Sequence, residues 1–167
     1  MTLSEFNQLD EQKAFDALFS CCGSSDWARQ LLAKRPFNNL DALKKESDLI
    51  WLFSKEPDWI EAFSHHPKIG DKASLETKFA KTKTWAAGEQ SGVDGADSDV
   101  IAELAKANAD YERKFRFIFI VCATGKSAEE MLKMLKTRLN NKREQELLIA
   151  MTEQNKITHI RLDKLFL

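Results

Sequence analysis

Proline and glycine are both scarce in this chain, with three prolines and six glycines among 167 residues. Few positions can therefore break a helix, and three of the glycines (Gly88, Gly92 and Gly95) fall in one stretch. Cysteine is scarce too. Cys21, Cys22 and Cys122 form an odd set with one adjacent pair and no Cys-x-x-Cys, which resembles neither a disulfide framework nor a zinc site. Such usage suits a reducing compartment, so a cytoplasmic protein is expected. No charge excess exists either: 25 Lys and Arg stand against 26 Asp and Glu, for a net charge of −1. That balance supplies no electrostatic reason to expect nucleic acid or an anionic membrane as partner. The longest apolar run, Phe117 to Ala123, is far too short to span a bilayer. The first residues, Met1 to Asn7, lack a basic region followed by an apolar stretch, and Lys164 to Leu167 is no retention address.

What is present reads as helix. A hydrophobic fraction of 43% is enough for a core, and the length suits one domain over residues 1–167. Asp10 can cap a first helix carrying Phe15, Leu18 and Phe19. Ser24 or Ser25 can cap the next, Trp27 to Lys34, which Pro36 stops. Asn39 or Asp41 opens a third, with Leu40, Leu43, Leu49, Leu52 and Phe53 as its apolar positions. A short amphipathic run, Trp59 to Phe63, ends before Pro67. Asp97 or Ser98 can cap a long helix with Ile101, Leu104, Asn108, Tyr111 and Phe115 at helical spacing. Ser127-Ala-Glu-Glu130 has the form of a capping box ahead of Met131, Leu132, Leu135 and Leu139. A final helix from Lys142 puts Leu148, Met151, Asn155, His159, Leu162 and Phe166 on one stripe. Phe117 to Ala123 is the exception. Its β-branched and aromatic residues favour an extended segment, yet no second strand offers to pair with it, which leaves a buried extended connector or a distorted helical continuation. The expected fold is all-α, a single compact domain of about eight helices with one buried extended connector.

Candidate chemistry centres on His65-His66-Pro67-Lys68-Ile69-Gly70-Asp71. Pro67 stops the preceding helix and Gly70 permits a change of direction, so the His66 imidazole stands at a fixed junction. An imidazole held in place can donate or accept a proton near neutral pH, although a histidine before a proline is also a common polar helix end. In Trp85-Ala-Ala-Gly-Glu89-Gln90-Ser-Gly92, a carboxylate beside a carboxamide can hold a planar, nitrogen-rich ligand, or can be a surface pair. Arg161 can bind a carboxylate through its planar fork, or stand solvated on a terminal helix; His159 is expected at the core edge with its tip in water. Cys122 reads as a small buried hydrophobe. His65 and His66 are adjacent and no His-x-x-x-His occurs, so no metal site is expected. Phosphate-loop, dinucleotide and Gly-x-Ser-x-Gly patterns are missing, and nothing implies a bound cofactor.

Taken in order, His66-Pro67-x-Ile69-Gly70, Glu89-Gln90-x-Gly92, Tyr111-x-x-Lys114-Phe115 leading into Phe117-Ile-Phe-Ile-Val-Cys, and Ile157-Thr-x-Ile160-Arg161-Leu162 resemble the 2-oxo-4-hydroxy-4-carboxy-5-ureidoimidazoline (OHCU) decarboxylases. Arg35-Pro36-Phe37 ahead of the third helix fits as well. The resemblance covers nearly the whole chain. It implies an all-α homodimer of urate breakdown that forms (S)-allantoin without a cofactor, on a small-molecule substrate. It puts the catalytic histidine on His66, here as general acid, and the Glu-Gln pair on Glu89, also catalytic, and Gln90. The substrate-contacting proline falls on Pro67, and the backbone-contacting segment on Phe119, Ile120, Val121, Cys122 and Ala123. Arg161 would contact the substrate or the partner copy. Two positions depart from the family pattern: Ala86 stands where a serine is frequent, and Arg116 and Ile118 stand where glycine and proline are frequent. Two other classes remain open, a non-catalytic helical interaction module and a related ureide lyase or hydrolase.

Overall fold

A computed structural model describes residues 1–68 and 98–167. Among these residues there are eight helices and no strand: α1 (Leu3–Gln8), α2 (Glu11–Cys22), α3 (Ser25–Leu32), α4 (Leu40–Phe53), α5 (Glu56–Ser64), α6 (Ser98–Phe115), α7 (Ala128–Arg138) and α8 (Arg143–Leu165). The expected all-α class is met. Residues 118–123 carry no helix, and most of them are buried, as expected for the connector.

Caps account for where the helices start. Asp10, Ser24 and Asn39 each accept a hydrogen bond from the backbone N–H three residues on, opening α2, α3 and α4. Ser127 and Glu130 close the reciprocal capping box of α7. Thr2 and Glu5 form a second such box, which starts a helix that the sequence reading did not place: α1, and not α2, is the first. Gly23 ends α2 with φ 84°, a left-handed turn that a side chain would oppose.

Two helix faces differ from expectation. In α4 the buried positions are Leu43, Ser47, Ile50 and Trp51, whereas Leu49, Leu52 and Phe53 are exposed, Phe53 by 79%. In α8, Leu148 is exposed, and the buried side carries Glu146, Glu153, Gln154, Thr158 and Arg161 beside Leu147, Met151 and Leu162. Both helices have apolar residues on more than one side, so periodicity alone does not choose the inward face.

The chain divides into two compact units, Met1–Ala62 with Gln154–Leu167, and Phe63–Glu153. In the first, Phe6, Leu18, Trp27, Leu31, Leu43 and Trp51 form the core. Trp27 Nε1 donates to Ser47 O at 3.2 Å, so the indole meets its polar need without leaving the core. Arg35 Nη1 donates to Phe6 O and Leu9 O, and Asn7 exchanges two hydrogen bonds with the Phe37 backbone, tying α1 to the corner before α4. In the second unit, Tyr111, Phe115, Phe117 and Phe119 form one aromatic cluster, with Phe63 against Phe117 at 5.4 Å between ring centroids.

Candidate active site

The histidine junction forms as its sequence implies. α5 stops at Ser64, and the His66 N–H donates back to Phe63 O at 3.1 Å, adding a last tight turn before Pro67. His65 points outward, while His66 is 6% exposed and Pro67 is buried. Contacts with α6 and the connector help to hold this corner. Lys68 Nζ pairs with Glu112 Oε2 of α6 at 2.6 Å, and the Phe63 ring packs on Phe117, where the connector begins. A buried imidazole is thus brought to the same compact unit as residues 119–123. Ala86, Glu89 and Gln90, with Ile69 and Gly70, lie outside the described residues.

The connector is held from behind by charged side chains. Arg138, at the end of α7, donates from Nη1 to Ile120 O at 2.8 Å and lies 4.6 Å from the centre of the Phe119 ring. Its Nε donates to Glu146 Oε1 at 2.6 Å. Fully buried Glu146 also accepts from the Tyr111 hydroxyl and from Asn141 Nδ2, so its charge is compensated on several sides. Burial holds the Tyr111 hydroxyl well above the usual phenol range, and the phenol stays a hydrogen-bond donor. Further along, Cys122 N–H donates to Glu153 Oε2 at 2.8 Å, and Lys126 Nζ donates to Cys122 O at 2.7 Å. Cys122 itself is half-buried and not the fully buried hydrophobe expected, because this backbone clamp sets its place in the chain.

Sequence reasoning passed over Arg138, Glu146 and Glu153. Glu146 and Glu153 are seven apart, a spacing that puts them on one helical face, and that was the available signal.

At the other end of the chain Arg161 is 4% exposed, so the solvated alternative is excluded; its Nη1 reaches Cys21 O at 3.5 Å. The neighbouring Cys22 thiol is pushed up to about 12, chiefly by burial, against the smaller opposing pull of Arg161. A thiol so buried is a poor nucleophile. His159 is tied by Nε2 to Asp48 Oδ1 at 2.6 Å rather than directed only to water. Among the described residues there is no cluster of three or more potential metal ligands, and no helix is long and apolar enough to cross a membrane.

Comparison with known proteins gives the family. The model of the OHCU decarboxylase family matches residues 7–163. The chain belongs to the OHCU decarboxylase family. It is 41% identical to the uric acid degradation bifunctional protein TTL of Arabidopsis thaliana over 87% of its own length, but spans only 45% of that protein. It likewise spans 32% of the bifunctional protein PucL of Bacillus subtilis, at 26% identity. Against the OHCU decarboxylase of Halalkalicoccus jeotgali it is 23% identical and covers 92% of that chain. Among solved structures, an OHCU decarboxylase crystallised in the presence of (S)-allantoin superposes with a TM-score of 0.73 at 37% identity, covering 90% of this chain and 97% of that one. Arg116, just ahead of the connector, takes φ 66°, the left-handed region that favours glycine, with an arginine side chain on it.

Proposed function

We propose that this chain is a decarboxylase of urate catabolism that converts OHCU to (S)-allantoin, with His66 as general acid and residues 1–167 acting as one domain of a cytoplasmic homodimer. The observation that carries the reading is the buried His66 imidazole, set at a pinned helix end in one compact unit with a connector of non-helical backbone. Family membership and the similarity to a decarboxylase crystallised with (S)-allantoin support the choice of substrate.

The chemistry suits these residues. Breaking the bond to the carboxylate releases CO2 and leaves its electron pair on the ring carbon. An adjacent carbonyl or imine of the substrate delocalises that pair, so the substrate supplies its own electron sink. The protein must orient the carboxylate, stabilise the enolate-like intermediate and deliver one proton to one face. His66 delivers the proton, a role typically worth about 10²–10⁴-fold in rate. Glu89 and Gln90 hold the ureido and ring amides, Pro67 shapes the wall beside the imidazole, and Ala86 leaves out a hydroxyl contact. Backbone dipoles of residues 119–123 bind ring carbonyl and N–H groups as preorganised partners. Arg161 contributes a charge for the carboxylate or the partner copy.

His66→Asn tests the assignment. Circular dichroism on freshly generated substrate should show (S)-allantoin formation falling by at least about 10²-fold, with the helical spectrum unchanged. Near-normal turnover removes His66 from the mechanism. A wild-type chain that accelerates no decarboxylation at all favours a non-catalytic helical module.

A further inference from the structure

Buried charge is an expensive way to hold a backbone. A helix would satisfy the amides of residues 119–123 internally, yet this segment is non-helical and three of its backbone polar groups are met by charged side chains. Arg138 is 6% and Glu153 8% exposed, so two of the three charges are almost wholly removed from water. The groups bonded to these side chains are Ile120 C=O, Cys122 N–H and Cys122 C=O, and Ala123 C=O next to them accepts from the Lys126 N–H at 3.0 Å. Ile120 and Cys122 are thus held by Arg138, Glu153 and Lys126, which fixes the main chain on either side of Val121.

We propose that Glu153, assisted by Arg138 and Lys126, is a positioning residue that clamps the connector at Ile120 and Cys122 so that the backbone N–H and C=O groups beside them meet a planar cyclic amide. The proposal rests on the decarboxylase reading above. It extends that reading by naming residues that act on the substrate only through the main chain. The Glu153 carboxylate accepting from an amide N–H is a charge-assisted bond, stronger and shorter than a neutral one, which suits a group that must stay in register. The donors and acceptors so fixed recognise paired C=O and N–H groups on one ligand edge, the pattern of a ureide or hydantoin ring.

The test compares Glu153→Ala with Glu153→Gln in the full-length chain. Alanine removes the acceptor; glutamine keeps an oxygen for the Cys122 N–H. Expected for alanine are a KM for OHCU and a dissociation constant for (S)-allantoin each raised about tenfold, with kcat changed much less, and faster hydrogen exchange in the peptide spanning 119–123. Glutamine should return KM to within about twofold of the wild type. If exchange quickens and KM does not move, the clamp is structural only and the proposal is overturned. Equal KM values for the two variants, both raised, overturn it as well, since rescue is then missing. Should Glu153→Ala fail to fold, Lys126→Met removes the bond to Cys122 O from a half-buried position; a KM raised severalfold supports the proposal and an unchanged KM sinks it. A wild-type chain without turnover sinks the decarboxylase reading and this proposal together, and is told apart because every variant is read against an active wild type.

Discussion

Glu146 concentrates more polar bonding than any single apolar residue of its unit could replace. It is fully buried and is bonded to Tyr111, Arg138 and Asn141. Such a carboxylate is tolerable only while its cation is present. Arg138→Ala should therefore destabilise the protein by about 3–5 kcal/mol, mainly by leaving a buried charge uncompensated. Urea unfolding followed by circular dichroism measures it; a loss below about 1 kcal/mol would show that the pair is surrounded by more water than its burial implies. His66 is the contrasting residue. It is buried at a helix-end corner, and its replacement by asparagine is expected to cost activity far more than stability.

At the scale of elements, the helix ends were legible because each is decided within a few residues. Asp10, Ser24, Asn39 and Ser127 cap helices through bonds to amides three residues away. Asn39→Ala should cost about 1 kcal/mol through the loss of one such bond, read from the urea midpoint. The end of α6 offers the opposite experiment. Arg116 sits exposed at φ 66°, with its N–H bonded to Glu112 O at 2.9 Å. Arg116→Gly should stabilise the protein by about 1 kcal/mol, since glycine enters the left-handed region without the Cβ penalty. A lower melting temperature for this variant would refute the argument. Helix faces were less legible than helix ends. Leu49, Leu52 and Phe53 obey helical spacing as well as the truly buried Leu43, Ile50 and Trp51 do, and nothing local separates the two sets.

For the whole molecule, alkaline pH is the condition that reads several buried groups at once. Cys22 is pushed from 9.0 up to about 12, and Tyr111 is also raised. A raised folded-state value means that the neutral form is favoured on folding. The stability so contributed is fully present below pH 9 and is lost as pH rises towards 12. Melting temperature should hardly change on account of these groups below that window and fall within it, by at most about 1.4 kcal/mol of stability per pH unit for each group. Cys22→Ala should flatten the decline; an unchanged slope would remove Cys22 from it. The proposed homodimer has its own check: light scattering should give twice the chain mass of 19.1 kDa, and a value of one chain mass would refute it.

The amino-acid order was sufficient for the helical class, for most helix starts, for the largely buried run from Phe117 to Ala123, and for the motif series that places the chain in its family. Those features depend on propensities and bonds reaching a few residues along the chain, or on patterns read in one dimension. The burial of Arg138, Glu146, Glu153 and Arg161 depended on folding. A charged side chain enters a core only when its partner arrives from elsewhere in the chain, as Arg138 meets Ile120 O and Glu153 meets the Cys122 N–H. Separation along the sequence hides such pairs, and that is why the clamp on the connector became visible only once α7 and α8 were folded against it.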